Sequence, residues 1–188
     1  SMGIKLIEQA PLYIFQTFLI VYAGIHLHIS NQLLVIGIGI GAFVEMFTIP
    51  LFSRLSDRIG RRRMYLIGSI VMLLYMFPYF LLLGTKNPVL VILSILLSFG
   101  LCHAILWGPE AALIAEQFQT RFRYSGASVG AQLASPLSGG LAPIIAVALL
   151  QSYHGSFVPV ALFLIVIAIV SAFCLLGLKE RAQKSIAE

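Results

Sequence analysis

The sequence predicts an all-α membrane protein of six transmembrane helices, organised as two inverted three-helix repeats with both termini in the cytoplasm. Three observations predict it. Hydrophobic residues make up 60% of the 188 positions, charged residues only 10%, and the mean hydropathy is +1.00, far from the balance of a soluble domain. Apolar runs matching the roughly 20 helical residues that cross a hydrocarbon core recur six times, near 6–27, 32–53, 64–84, 88–113, 125–151 and 156–178. Positive charge is confined to alternate ends of these runs.

The first span carries Gln9, Tyr13 and Gln16 at helical spacing; no small-residue cleavage pattern follows it, so it is not a removable signal peptide. The second sets Gly37, Gly41 and Glu45 on one face, which points Glu45 into a close helix contact and away from lipid. It runs into Ser53–Arg63, read as one short hydrophilic turn. There Gly60 supplies the positive backbone dihedral of a sharp reversal, and Asp57 pairs with Arg58 or Arg61 or caps the next helix. The third span is almost uniformly apolar and stops at Gly84 with Pro88 beyond. The fourth aligns Phe99, His103, Trp107 and Glu110 and closes at Glu116. The fifth aligns Ser128, Gln132, Ser135 and Gly139; Pro136 and Pro143 bracket Ser138-Gly139-Gly140, predicting a bent or partly unwound helix. The sixth is apolar throughout.

Residues 4–180 form one transmembrane domain, 181–188 a cytoplasmic tail, and 1–3 a cloning scar with the start methionine. Orientation follows from the cations. Placing the termini and the loops around 54–63 and 121–123 on one side gathers eleven Lys and Arg there and leaves only Lys86 opposite, which puts the eleven inside. This distribution explains the net charge of +5 by topology and anionic lipid and excludes a nucleic-acid partner. Cys102 and Cys174 lie in apolar runs without metal or redox spacing; no metal, cofactor or enzyme motif is expected.

Ionisable groups inside a membrane are costly and usually functional. Glu45, Glu110 and His103 are the proton-site candidates, and Tyr13, Gln16, His103, Trp107, Gln132 and Ser135 the candidates for a shared aqueous cavity, with plain interhelical hydrogen bonding as the competing reading. No Lys or Arg falls deep within a span, so no buried cation is expected.

Three stretches carry a family likeness. They are the Asp57-Arg58-Ile-Gly60-Arg61-Arg62 run, the segment from Trp107 through Glu116 to Arg121 and Arg123, and Gly126 to Pro143. Together they resemble the carboxy-terminal half of the major facilitator superfamily, in its metabolite:proton symporter branch, over about residues 10 to 180. The chain departs from the family pattern at Ser53, where Gly is usual, and at Glu110, where Gln is common.

The resemblance implies that Asp57, Arg58, Gly60, Arg61 and Arg62 form a cytoplasmic latch; by position, Glu116, Arg121 and Arg123 fall on the same side within reach of Arg61 to Arg63, which predicts an ion pair across the loops, with a solvated surface charge as the competing reading. The resemblance also implies a multi-pass protein of a bacterial inner membrane that moves a small metabolite with protons. An amino-terminal half or a second copy of the chain would be the partner, and the half would be inactive without it. The alternatives are a homodimeric half-size transporter and a non-transporting six-helix assembly module.

Overall fold

The computed structural model describes residues 2–117, 123–153 and 155–176; Arg121 and the ends at 1 and 177–188 lie outside these, as does His154. Six long helices account for the described residues, with no strand among them. They are α1 (residues 2–26), α2 (Asn31–Ile59), α3 (Arg61–Gly84), α4 (residues 88–115), α5 (residues 123–152) and α6 (Val158–Leu176). Each contains a stretch long and apolar enough to cross a membrane.

Local chemistry sets the helix starts. The Ser30 hydroxyl accepts the Leu33 N–H at 3.3 Å to cap α2, and Asn87 accepts the Val89 N–H at 3.0 Å to cap α4, with Pro88 in the first turn where its missing N–H is harmless. Helices outrun the apolar spans at the arginine-rich end. The stretch 53–63, expected as a turn, is helical except for Gly60, which alone separates α2 from α3 with φ 105° and ψ 129°. Hydropathy marks where a chain leaves hydrocarbon, whereas its backbone hydrogen bonds continue into water.

Of the two expectations for α5, bent or partly unwound, the backbone is not unwound at the prolines and glycines. Pro136–Leu141 instead forms a π-helical turn, and so do Ile14–Phe18 and Tyr22–His26 in α1 and Ser98–His103 in α4. Such wider turns free backbone groups while keeping the helix continuous.

The core lies among α1, α3, α4 and α6. Ile7, Ile14, Phe15, Tyr65, Met72, Met76, Tyr79, Phe80, Ile95, Leu106 and Leu164 are all but fully buried, with the Phe15 and Tyr79 rings 4.4 Å apart. The two outer helices α2 and α5 pack along α4 and α1 respectively, while α3 and α6 pack against each other and against α4 and α1. Exchanging α1 with α4, α2 with α5 and α3 with α6 maps this set of neighbours onto itself, as two inverted three-helix repeats require. Val35, Phe43, Phe47 and Leu51 of α2 and Leu74, Leu81, Val166 and Phe173 of α3 and α6 face outward.

Candidate functional site

A seam of small residues brings α2 against α4. A Cβ on Gly37 would meet Ile95, and one on Gly41 would stand 3.3 Å from Phe99. One turn on, Glu45 reaches Nδ1 of His103, so the glycine stripe aims the carboxylate where its spacing predicts. At the next turns a Cβ on Gly108 would come within 2.9 Å of the Ser53 nitrogen and 3.1 Å of the Ile49 carbonyl oxygen, so the two backbones nearly touch. A matching seam joins α1 and α5. Gln9 takes a 2.7 Å hydrogen bond from Ser138 and lies 3.4 Å from Ser135, and Gly139 faces the Tyr13 ring.

His103 ends the π-helical turn of α4 and is 5% exposed. Its Nε2 lies 2.9 Å from Glu8 of α1 while its Nδ1 faces Glu45 of α2. Glu8 is fully buried. On its other side Lys5, 7% exposed, places Nζ 3.0 Å from Glu8 and 2.5 Å from Glu110. The Tyr65 hydroxyl of α3 donates to Glu110 at 3.5 Å, and Lys5 Nζ sits 4.5 Å above the Trp107 ring. Four helices thus converge on one buried network of ionisable groups.

Lys5 corrects the expectation that this bundle holds no buried cation. The sequence reading left it in water because the apolar run starts at Leu6, but α1 begins at Met2 and carries Lys5 inward. Glu8 was not singled out at all; its signal was an acid three residues after Lys5 inside a span, a spacing that puts both on one helical face.

The network has an unbalanced inventory: Glu8, Glu45 and Glu110 against one ammonium and one imidazole. A neutral imidazole offers one N–H and one lone pair. With both ring nitrogens of His103 against carboxylates, ionised partners would set a lone pair against a carboxylate oxygen. One further proton, on the ring or on a carboxyl, removes that repulsion. No group of three or more His, Cys, Asp or Glu among the described residues is arranged to hold a metal ion.

At the arginine-rich end, Arg61 donates to Asp57 at 2.8 and 3.1 Å and also to Glu116, which closes α4. Arg58 is exposed and Arg62 half-buried. Arg123 opens α5, but its side chain, like all of Arg121, lies outside what the structure describes. Tyr65 and Glu110 stand four and six residues from Arg61 and Glu116, so the buried network lies roughly 6 to 9 Å further along the helices than the Arg61–Glu116 pair at 1.5 Å per residue.

The cavity candidates divide. His103 is interior, Trp107 is 43% exposed, Gln132 is exposed, and Tyr13, Gln16 and Ser135 are half-buried. The stripe on α4 therefore does not face a single open space: His103 and Glu110 turn to α1, α2 and α3.

Residues 14–188 match the family model described as "Sugar (and other) transporter". The chain is 31% identical over 179 residues to the shikimate transporter of Escherichia coli K12, covering 95% of this chain and 41% of that protein. It is 37% identical over 150 residues to the inner membrane metabolite transport protein YhjE of the same organism, covering 79% and 32%. It is 30% identical over 185 residues to the E. coli K12 proline/betaine transporter, covering 97% and 36%. The chain thus spans about two fifths or less of the length of these relatives. No solved structure matches it.

Proposed function

The chain belongs to the sugar (and other) transporter family of the major facilitator superfamily, and we propose that it is the carboxy-terminal six-helix half of a proton-coupled transporter of a small metabolite in a bacterial inner membrane. The observation that carries the coupling is His103, buried between Glu8 of α1 and Glu45 of α2 in a setting that needs one proton more than ionised carboxylates supply. Proton gain or loss there changes the charge between helices from the first repeat and the α4 that opens the second. That is the differential interaction a conformational change requires.

The names of the relatives support a small organic acid or zwitterion as substrate, and the relatives' greater length supports an amino-terminal half as partner. That Tyr13, Gln16 and Ser135 are half-buried and Trp107 and Gln132 exposed supports their completing a binding cavity with that partner. The Asp57–Arg61–Glu116 group acts as the cytoplasmic latch.

The test uses the full-length transporter in proteoliposomes. H103Q and E45Q are expected to abolish accumulation driven by a proton gradient while preserving substrate exchange, which needs no net proton movement. Undiminished accumulation in both variants overturns the coupling role. Uptake by this chain alone, equal to that with its amino-terminal half co-expressed, overturns the half-transporter reading.

A further inference from the structure

Beside the His103 proton site, the same network contains a second arrangement that the proton account leaves unused. The Lys5 ammonium rests on the face of Trp107, 4.5 Å from the ring centre, between the carboxylates of Glu8 and Glu110. An aromatic face flanked by carboxylates is the chemistry that recognises an organic ammonium. We propose that Trp107, Glu8 and Glu110 form a binding site for an alkylammonium group, and that Lys5 is its tethered occupant, displaced when a substrate bearing such a group enters.

Four features carry this. Glu8 Oε2 lies 3.0 Å from Lys5 Nζ, so a fully buried carboxylate oxygen is held against the position the ammonium occupies. Trp107 is the network's open edge, 43% exposed where its charged neighbours are buried, which gives a ligand a way in. Lys5 reaches the Trp107 face on a flexible four-carbon stem, so its head can swing aside without moving the helix that carries it. The inventory is acidic: even with His103 charged, Lys5 and His103 face three carboxylates, Glu8, Glu45 and Glu110, with Tyr65 as the remaining titratable neighbour. Such a surplus repels a purely anionic acid and admits a cation or a zwitterion.

The inference rests on the transport reading for its purpose and names the substrate class as one carrying an alkylammonium. Its test needs neither a gradient nor another half. Trp107 is the single tryptophan of the chain, so its fluorescence reports the site directly in the purified chain in nanodiscs. n-Butylammonium is expected to change that fluorescence and 1-butanol, the uncharged counterpart, to leave it unchanged. K5M, lacking the internal competitor, is expected to bind butylammonium about tenfold more tightly.

Where K5M fails to fold, calorimetry on Trp107 variants decides: W107Y is expected to keep binding and W107L to lose about tenfold. Equal responses to the amine and the alcohol overturn the proposal, as does binding by K5M with none by the wild type, which would make Lys5 a permanent counter-ion. Alkylammonium binding that persists while H103Q and E45Q accumulate substrate normally sinks the proton-coupling reading alone; the reverse pattern sinks this one alone.

Discussion

Arg61 and Glu116, 55 positions apart, are joined side chain to side chain, and they tie the first turn of α3 to the last turn of α4. Asp57 holds the same guanidinium from α2, so three helix ends meet on one cation. With Arg61 25% and Glu116 20% exposed, the pair should contribute about 0.5 to 1 kcal/mol, the upper range for partly solvated ion pairs. Thermal unfolding of R61E, E116R and the doubly reversed chain in micelles is expected to show positive coupling of that size. Rescue should be incomplete, because the reversed Glu would face Asp57 one turn away, and adding D57N should complete it. Additive effects of the two reversals would show that the contact contributes nothing.

Gly60 has a φ of 105°, which side-chain-bearing residues rarely adopt. G60A is expected to lower stability by about 1 to 3 kcal/mol through backbone strain alone. G39A is the control. No atom surrounds Gly39 within 4 Å of an added Cβ, so alanine there should be neutral or stabilising by up to about 1 kcal/mol from helix propensity. An unfolding midpoint for G60A equal to that of G39A would remove the strain argument.

Close approach of α2 to α4 depends on Gly108, whose added Cβ would collide with main chain, at Ser53 and Ile49, which cannot rotate away. G108A should therefore cost about 1 to 3 kcal/mol. By contrast, G140A, with open space around it, should unfold like the wild type. A cysteine pair placed across the α2–α4 seam would report the separation: its oxidation rate is expected to fall in G108A and to be unchanged in G140A.

The parts of this molecule that could be read from sequence are those governed by periodicity. Gly37, Gly41 and Glu45 sit at successive helical turns, and that spacing predicts a close helix contact for Glu45, though not that α4 is the partner. The buried network was half visible, since His103 and Glu110 stood out within an apolar run. Lys5 and Glu8 did not, because a hydropathy boundary drawn at Leu6 assigned the lysine to water, and an average over some twenty apolar residues hides one acid. The polar composition of 53–63 said nothing of backbone conformation, so a helix broken only at Gly60 was read as a turn. The π-helical turn at Ser98–His103 had no sequence signature; it appears where His103 must reach two other helices at once.

Glu8 should dominate the stability of the network, because it is fully buried between His103 and Lys5. E8A is expected to cost about 3 to 5 kcal/mol by stranding both partners, the usual penalty for breaking a buried ion pair. E8Q, which keeps the shape and an acceptor oxygen, should cost clearly less. Urea or detergent unfolding followed by circular dichroism distinguishes them, and equal losses for the two variants would show that packing rather than charge pairing sets the cost.

A junction of one residue between α2 and α3 has a mechanical corollary. Two rods sharing a single-residue elbow cannot slide along their own axes independently: lifting one drags the other by the same distance. Relative motion is restricted to swinging about Gly60, and Arg61, the first residue beyond that pivot, travels least of all.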